Sequence, residues 1–331
     1  MDKIKIGHGA GGRLTDQLIE KIIKNLETSN NAKVNLKEKD DGASFKSFSK
    51  ETIVSTDSHI IKPLFFPGGD IGKLSITGTV NDVCMMGAKP TAITLSLVIE
   101  EGFSKKRLEK IIESVSEELK RNNLPLISGD TKVMPQGEID GLIINTTGFG
   151  EPQEKIVKDS GLSKGDKIII NGPIGDHGVA LISAREEYGI KTDVKSDVKS
   201  LKNIVQELPL EKITALKDPT RGGLSEALNT MASKSGLGIE LYEENIPVRE
   251  EVRETCELLG INPYNLANEG KMIIGVEPGG KDEVLSVLRD AGEKPKVIGE
   301  VVEGDKVVLK KDFGGSKILR RPEGESLPRI C

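Results

Sequence analysis

Apolar strands alternate with amphipathic helices along this chain, and one polar stretch, from Glu151 to Lys164, interrupts the alternation. Because each half carries strands and helices of its own, each half can bury a core. We therefore predict an α+β fold in which helices lie against sheets, divided near residue 153. The predicted parts are a first domain at 1–152, a second domain at 153–313 and a flexible tail at 314–331.

The spacing of apolar residues and turn residues predicts the individual elements. A helix beginning at Ile71 is rich in small residues, which lets another backbone or a ligand approach closely, and Gly87 and Pro90 end it. The segment from Lys191 to Ser200 is charged and of low complexity, so we predict a mobile insertion there. Strands are predicted at 52–56, 91–99, 124–128, 142–146, 167–171, 238–242, 271–276, 297–302 and 306–309. Further helices are predicted from Ser104, at a start formed by residues 218–224, and near 249–258 and 281–291.

Composition and charge exclude several classes of protein. A net charge of −5 over 331 residues provides no basic surface for a general nucleic-acid-binding protein. No apolar run approaches the roughly 18 residues of a membrane span, and the start lacks the apolar region of a signal peptide, so we expect a cytoplasmic protein. The cysteines Cys84, Cys256 and Cys331 lie far apart, which indicates neither a disulfide framework nor a zinc site. Cys84 and Cys256 are predicted to be small core residues.

A glycine-rich turn from Gly7 to Gly12 precedes a predicted amphipathic helix at 14–26. The glycine spacing satisfies the dinucleotide fingerprint. However, two isoleucines between lysines do not make the continuous buried strand that a Rossmann fold requires. Two interpretations stay open, a loop that binds phosphate through backbone N–H groups and a simple turn.

Four aspartates of the first half are predicted at strand ends or on the glycine-rich helix: Asp41, Asp57, Asp82 and Asp130, with Lys132 close behind the last. Carboxylate oxygens beside glycines and one lysine suit phosphates bridged by Mg²⁺, because the metal neutralises the phosphates and the lysine adds a positive charge. Mg²⁺ usually takes one or two protein carboxylates, so four would suit two or more ions. For any single aspartate the alternative is a turn residue or a helix N-cap.

Two residues of the second half add candidate chemistry. Arg221 lies in a glycine-flanked turn before a helix, where its guanidinium can bind a carboxylate or phosphate bidentately or form an ordinary ion pair. Glu269 precedes a strand and offers a carboxylate for general-base catalysis, although its neighbours Asn268 and Gly270 also suit a plain turn. The sequence contains no Gly-x-Ser-x-Gly motif, so a serine hydrolase is unsupported.

The sequence ends in Pro328-Arg329-Ile330-Cys331, so the last residue carries a thiol beside the α-carboxylate. A thiol on a flexible arm can visit a site on its own protein and then one on a partner, and its thiolate is a good nucleophile. The carboxylate disfavours the thiolate, whereas the nearby arginine favours it. Taken alone, a terminal cysteine more often marks a frayed end, and its position excludes a prenylation motif.

Motifs spread from Gly7 to Cys331 closely resemble the HypE family of nickel–iron hydrogenase maturation proteins, part of the PurM-like aminoimidazole ribonucleotide synthetase superfamily. The superfamily shares the aspartate motifs, so they imply ATP use without a particular substrate. The Pro-Arg-Ile-Cys terminus is the specific part. The matching motifs are Asp41-Gly42-Ala43, Ser55-Thr56-Asp57-Ser58, Thr79-Val80-Asn81-Asp82-Val83, Met86-Gly87-Ala88-Lys89-Pro90, Gly129-Asp130-Thr131-Lys132-Val133, Asp218-Pro219-Thr220-Arg221-Gly222-Gly223, Asn268-Glu269-Gly270 and the terminus itself.

The resemblance implies a PurM-like two-domain fold and a homodimer whose N-terminal sheets combine into a barrel. It further implies that ATP and Mg²⁺ bind near that interface. The implied nucleotide-binding residues are Asp41, Asp57, Asn81, Asp82, Asp130, Lys132 and Arg221, with Asp41, Asp57, Asp82 and Asp130 as metal ligands.

The implied reaction takes place on the terminal cysteine. Cys331 receives a carbamoyl group from the carbamoyltransferase HypF, ATP drives dehydration of the thiocarboxamide to a thiocyanate, and the cyanide passes to iron on the HypC–HypD scaffold. Phosphorylation makes the amide oxygen part of a good leaving group, while a base removes a nitrogen proton. We expect Cys331 to be the carrier and Glu269 the base, with Lys132 as a further catalytic residue.

Two alternatives stay open on the sequence. The chain can be another ATP-dependent member of the superfamily, a small-molecule kinase or synthetase with an incidental tail. It can also be a nucleotide-gated scaffold that recruits maturation partners without chemistry of its own. If Cys331 carries the substrate, the tail can serve the nucleotide site of its own subunit or that of the other subunit in a dimer.

Overall fold

The computed structural model describes residues 12–13, 16–17, 43–47, 50–311 and 314–324. Asp41, Cys331 and most of the glycine-rich turn near the start lie outside these residues. The described chain forms two main sheets covered by helices, which confirms the predicted α+β class. Within these ranges, no helix is both long and apolar enough to cross a membrane.

The first half is built on one mixed sheet. Its elements are β1 (Ala43–Ser47), β2 (Lys50–His59), β3 (Phe65–Phe66), β4 (Gly69–Asp70), α1 (Ile71–Met85), β5 (Ala88–Glu100), α2 (Lys105–Arg121), β6 (Leu126–Met134) and β7 (Leu142–Pro152). Five strands pair in the order β1-β2-β7-β5-β6, antiparallel except for the parallel pair β5 and β6, while β3 and β4 form a separate ribbon. Strand β6 is therefore an edge of the sheet.

Helix α1 lies against one face of this sheet and is buried along nearly its whole length. Asp70 caps its N-terminus, because the Asp70 side chain accepts a hydrogen bond of 3.0 Å from the Lys73 N–H. Its small residues allow close packing: a Cβ at Gly72 would collide with the Ile111 carbonyl oxygen of α2. The helix ends at Met85, as the glycine and proline that follow predict.

The two faces of the five-stranded sheet differ. Paired residues on neighbouring strands point to the same face. The cross-strand row Asp57–Thr146–Leu95 faces α1, and the Thr146 hydroxyl donates to a carbonyl oxygen of that helix. The next row turns to the other side of the sheet, which we call the open face. The open face carries Thr56, Ser58, Ser96, Asp130, Lys132 and Asn145.

The second half contains a seven-stranded sheet in the order β14-β13-β10-β12-β8-β11-β9. Three consecutive isoleucines at its centre, Ile168, Ile169 and Ile170, are fully buried. The strands are β8 (Lys167–Ile170), β9 (Ile213–Lys217), β10 (Gly238–Tyr242), β11 (Ile273–Val276), β12 (Lys296–Val302), β13 (Val307–Lys310) and β14 (Ser316–Ile318). The helices are α3 (Asp176–Ser183), α4 (Lys202–Glu207), α5 (Gly223–Ser235), α6 (Glu250–Leu259) and α7 (Lys281–Asp290), with short 3₁₀ turns at Glu186–Tyr188, Leu210–Lys212, Glu243–Asn245, Pro263–Asn265 and Pro278–Gly280.

One continuous apolar core links the two halves. It includes Leu74 and Ile76 of α1 together with Leu201, Val205 and Leu288 of the second half, all of them buried. Burial of this kind of surface is the main stabilising contribution in a folded chain. The junction between the halves is therefore a packed interface, and polar residues at its edge have fixed positions.

Residues 191–201, which we call the crossing segment, have no regular secondary structure but are well packed. Val194 and Val198 are buried, and the Ser196 N–H donates to the Pro67 carbonyl oxygen at 2.8 Å. The prediction of a mobile insertion is wrong here, because two valines among the lysines and serines anchor the segment to the core.

The described part of the tail also differs from the predicted flexible arm. Residues 316–318 form the edge strand β14, antiparallel to β13, and Leu319 after it is 4% exposed. Its carbonyl oxygen accepts a hydrogen bond of 2.9 Å from the Asn229 side chain of α5. The base of the tail is therefore attached to the second half, and residues 325–331 lie outside the described chain.

Two of the three cysteines are core residues, as predicted. Cys84 on α1 and Cys256 on α6 are buried free thiols. Burial raises the pKa of Cys256 to about 11 and raises the pKa of Cys84 still further. Neither thiol is a nucleophile near neutral pH, because the thiolate is the reactive form.

Candidate functional site

The turn at 268–270, just before β11, is held in place by its first residue. Asn268 is fully buried, and its Oδ1 accepts a hydrogen bond of 2.7 Å from the Gly175 N–H. Its Nδ2 donates to the carbonyl oxygens of Pro219 and Leu266, at 3.1 and 3.0 Å. A buried amide with these bonds satisfied fixes three separate stretches of backbone. The middle residue of the turn is thereby given a defined position.

That middle residue, Glu269, directs its carboxyl group into a buried, acidic space. It is 4% exposed, and none of the described residues donates a hydrogen bond to its Oε1. Burial raises the pKa of Glu269 well above its usual range, and the charges of Asp218, Asp197 and Asp57 raise it further, whereas Arg221 opposes them. Since Asp57 belongs to the first half and the others to the second, we call these five residues the junction cluster.

His59, at the end of β2, borders the junction cluster. Its Nε2 lies 3.6 Å from Asp57 Oδ2 and 3.4 Å from Thr146 Oγ1. Burial lowers the pKa of His59, the Asp57 carboxylate opposes this, and Arg221 lowers the pKa further. Gly78 of α1 leaves room for the ring, because a Cβ there would lie 3.0 Å from His59 Cε1. The imidazole is therefore neutral at neutral pH.

The last turn of α1 joins the first half to the crossing segment. Asn81 Nδ2 donates to the Lys199 carbonyl oxygen at 3.0 Å, and Asn81 Oδ1 accepts from the Leu201 N–H at 2.8 Å. Asp82 Oδ2 accepts a hydrogen bond of 2.8 Å from Ser55 Oγ. Asn81 thus joins α1 to the crossing segment through hydrogen bonds. Its role in nucleotide binding stays a prediction.

The junction cluster fits Mg²⁺ bound to a nucleotide better than a metal held by protein alone. Over the described residues, no three His, Cys, Asp or Glu side chains lie close enough to hold a metal ion. In nucleotide sites, however, Mg²⁺ takes one or two protein carboxylates, and phosphate and water oxygens complete its coordination. Asp57, whose side chain is 32% exposed, is a donor of this kind.

Comparison with known proteins identifies the family. Residues 39–151 match the AIR synthase related protein N-terminal domain, and residues 163–312 match the corresponding C-terminal domain. Carbamoyl dehydratase HypE of Cupriavidus necator is 40% identical over 99% of this chain and 95% of its own length. This chain belongs to the HypE family.

Solved structures of the HypE family have the same fold. A chain from a HypE–HypF complex superposes with a TM-score of 0.86 at 40% identity, covering 92% of this chain and 99% of its own. A HypE structure in complex with ATP superposes with a TM-score of 0.82 at 36% identity, covering 99% and 100%. The PurM-like architecture predicted from the motifs is thereby confirmed.

In this HypE family member, Asp130 and Lys132 lie apart from the junction cluster. Both are exposed on the open face, whereas Asp57 lies in the row that faces α1. The prediction that they follow a strand is wrong, because pairing with β5 extends β6 as far as Met134. Within one chain, the residues predicted to bind ATP are therefore divided between two sides of a sheet, and Asp41 lies outside the described residues.

Arg221 lies in the turn before α5, and the base of the tail returns to this turn. Gly222 has φ +75°, and a Cβ there would lie 3.3 Å from Pro322 Cγ. Arg321 is held by an ion pair of 2.7 Å with Asp16. The described tail thus passes beside the arginine of the junction cluster.

Sequence reasoning missed three acidic or imidazole groups of this site. Asp218 opens the motif that contains Arg221, and that motif is the signal that would have identified it. His59 comes two residues after Asp57 in the sequence, but a single histidine at a strand end is more often structural. Asp197 lies in the lysine-rich crossing segment, where a charge run indicates a solvated surface, so no signal in the sequence identifies it.

Proposed function

We propose that this protein is an ATP-dependent carbamoyl dehydratase, which converts a thiocarboxamide on its C-terminal cysteine into a thiocyanate and so supplies the cyanide ligands of the nickel–iron hydrogenase iron. The observation that carries the proposal is the Glu269 carboxyl group, which is buried among other carboxylates with a raised pKa. HypE relatives from several bacteria are named carbamoyl dehydratases, which supports the reaction type.

ATP supplies the phosphoryl group that turns the thiocarboxamide oxygen into a leaving phosphate, and Mg²⁺ held by this chain's carboxylates would neutralise the charge of its phosphates. The carbon–oxygen bond then breaks and a carbon–nitrogen triple bond forms, while the nitrogen gives up one proton to the base and one to the departing phosphate. The oxygen leaves as part of inorganic phosphate, so one thiocarboxamide and one ATP yield one thiocyanate, ADP, hydrogen phosphate and one proton, which the base releases to solvent.

Glu269 acts as the base for the nitrogen proton. A carboxylate with a raised pKa holds a proton more tightly than an ordinary one, so its ionised form is the better proton acceptor. Arg221 favours that ionised form, because its charge opposes the raised pKa of Glu269. Burial also excludes water, which would otherwise compete for the nitrogen proton.

The nucleotide site in this proposal draws on both halves. Asp57 would hold Mg²⁺, since its carboxylate is the partly accessible one at the first-half side of the junction cluster. Arg221 would bind phosphate bidentately. The remaining proposed nucleotide-binding residues are Asp41, Asn81, Asp82, Asp130 and Lys132, with Asp41, Asp82 and Asp130 as further Mg²⁺ ligands and Lys132 as a catalytic positive charge.

The base of the tail supports Cys331 as the carrier within its own chain. Pro322 packs beside Gly222, next to the arginine whose charge acts on Glu269. Nine residues follow Pro322 up to Cys331. An extended chain advances about 3.3 Å per residue, so these residues can span up to about 30 Å. We propose that this length brings the thiol from the turn to the base of the same subunit.

The proposed partners are a second copy of this chain, HypF as carbamoyl donor and the HypC–HypD complex as acceptor of the cyanide. The HypE–HypF complex among the solved structures supports HypF. The edge strand β6 supports a dimer, because Leu126, Ile127 and Val133 are 47%, 57% and 65% exposed and an exposed apolar edge pairs readily with another chain. We place the reaction in the cytoplasm because it consumes ATP.

Intact mass spectrometry tests the proposal. Incubation with HypF, carbamoyl phosphate and ATP should add one carbamoyl group to the chain and then remove one water. Cys331→Ala should gain neither product while still binding ATP, whereas Cys256→Ala should gain both. If the wild-type chain never forms the cyano product, the result would favour a scaffold that catalyses no reaction of its own. ATP turnover by Cys331→Ala on a small molecule would identify a kinase instead.

A further inference from the structure

The crossing segment contacts both halves and the turn that carries Glu269. On the side of the first half, the Asn81 side chain holds its backbone at Lys199 and Leu201. On the other side, the Lys199 N–H donates to the Glu269 carbonyl oxygen at 3.2 Å. Ser196 Oγ lies 2.7 Å from His177 Nδ1. The segment therefore ties the end of α1 to the turn at 268–270.

Asp197 is the central side chain of this connection. Its carboxylate is 4% exposed; Oδ1 accepts from the Glu269 N–H at 3.0 Å, and Oδ2 accepts from Lys271 Nζ at 3.0 Å. Burial acts to raise the pKa of Asp197, but Lys271, the Glu269 N–H and His177 together hold it below its usual range. Asp197 is thus ionised, and its hydrogen bonds are of the strong, charge-assisted kind.

The backbone of the turn lies directly on the crossing segment. A Cβ at Gly270 would collide with the Asp197 carbonyl oxygen, so only glycine allows this approach. The turn is therefore held by Asn268 on one side and by Asp197 on the other. Each Asp197 oxygen accepts a hydrogen bond from the chain itself, so the contacts of this carboxylate are with Glu269 and Lys271.

We infer that Asp197 is a positioning residue for the proposed base: it fixes the Glu269 backbone through one oxygen and Lys271 through the other, and so sets where the Glu269 carboxyl group lies. The inference rests on the proposed function. Charged groups face that carboxyl group from three elements, namely Asp57 on β2, Asp218 and Arg221 before α5, and Asp197 itself. A shift of the base changes its distance to the reacting nitrogen, and a misplacement of about 1 Å costs roughly 100-fold in rate.

Single-turnover dehydration of the chain, first carbamoylated by HypF and then mixed with ATP, tests the inference. Asp197→Asn keeps an oxygen for the Glu269 N–H but loses the ion pair, so we expect the rate to fall about 10-fold; Asp197→Ala loses both and should fall about 100-fold. The Kd for ATP should stay within about twofold, because only the proton-accepting step is displaced. Asp193→Asn, an exposed carboxylate of the same segment, should keep the wild-type rate.

A double variant, Asp197→Asn with Lys271→Met, separates positioning from folding. Removal of one partner leaves an unpaired buried charge, whereas removal of both does not, so the double variant should unfold at a higher temperature than Asp197→Asn. Its rate should nevertheless stay as low as that of Asp197→Asn. Recovery of the rate along with the stability would overturn the inference, since it would make the role of Asp197 purely structural.

Glu269→Gln, measured alongside, distinguishes this inference from the proposed function. A slow Glu269→Gln together with wild-type rates in both Asp197 variants overturns positioning and leaves the base assignment intact. A wild-type rate in Glu269→Gln overturns the base assignment and positioning with it. Loss of ATP affinity in parallel with the rate in Asp197→Asn also overturns positioning, because the carboxylate would then act on the nucleotide site.

Discussion

The junction cluster and the open face carry the same kinds of residue in opposite environments. At the junction, Glu269 is buried among carboxylates, which raises its pKa. On the open face, Asp130 and Lys132 are exposed along an edge strand. Burial and neighbouring charges at the junction raise the proton affinity of the Glu269 carboxylate. One chain therefore completes the surroundings of Glu269, whereas the open face lacks a covering surface among the described residues.

The largest effect should come from the junction. Glu269→Gln removes the proton acceptor but keeps the shape of the side chain, so the single-turnover dehydration rate should fall roughly 10²–10⁴-fold with ATP binding retained. Glu277→Gln, an exposed glutamate at the end of β11, is the matched control. A rate for Glu269→Gln within about threefold of wild type would mean that another group takes the proton.

The edge strand β6 should respond to loss of the second copy. Ile127→Lys places a charge where an apolar edge is proposed to pair. The loss of about 2 kcal/mol of apolar burial raises the dimer Kd roughly 30-fold for each copy affected. Sedimentation velocity over a dilution series measures this. Leu258→Lys, at a side chain on α6 that is 74% exposed, should leave the association unchanged. A wild-type chain that is monomeric at all concentrations would contradict the expected interface.

Nucleotide affinity tests whether the two regions belong to one site. Asp130→Ala removes a proposed Mg²⁺ ligand, so the Kd for Mg²⁺–ATP should rise at least about 10-fold by calorimetry, the equivalent of one charge-assisted contact. Glu138→Ala, an exposed acidic residue beyond the end of β6, should bind ATP normally. An unchanged Kd for Asp130→Ala would mean that the nucleotide contacts the junction cluster and not the open face.

The smallest effect concerns Asp176, which lies behind the junction cluster on α3. Burial raises the pKa of Asp176 from 3.8 to about 6, although its ion pair with Arg249 opposes the shift. The folded state therefore holds an extra proton between these values, so this contribution to stability is complete below pH 4 and is lost as the pH rises through 6. Thermal unfolding between pH 4 and 7 should show a shallower fall in Asp176→Asn than in wild type. Identical slopes would contradict the assignment.

Much of the fold could be predicted because it depends on local patterns. Helix α1 has its small residues, its aspartate cap and its terminating glycine in sequence, and the central strands of the second half are continuous apolar runs. Strand β9 escaped prediction because it is only five residues long, two of them polar, and lies between a short 3₁₀ turn and Pro219. The crossing segment escaped because two valines, rather than a periodic pattern, determine its burial.

Three of the five junction-cluster residues could be predicted from the sequence, but their arrangement could not. Asp57, Arg221 and Glu269 were identified from their motifs, and the structure brings these three together. Asp130 is separated from them because its side of the sheet is the open face. The register of β6 with β5 determines which β6 residues lie on that face. Asp197 depends on a contact between two loops far apart in sequence, which neither spacing nor composition encodes.

The attachment of the tail at Leu319 and Arg321 has a kinetic consequence. A substrate that is tethered by nine residues experiences an effective concentration in the millimolar range, which linker length sets and dilution does not change. Dehydration in the same subunit should therefore be first order and independent of protein concentration. A partner that accepts the cyanide must compete with the tethered site for the thiocyanate. The rate of cyanide transfer should therefore depend on the partner's concentration, whereas the rate of dehydration should not.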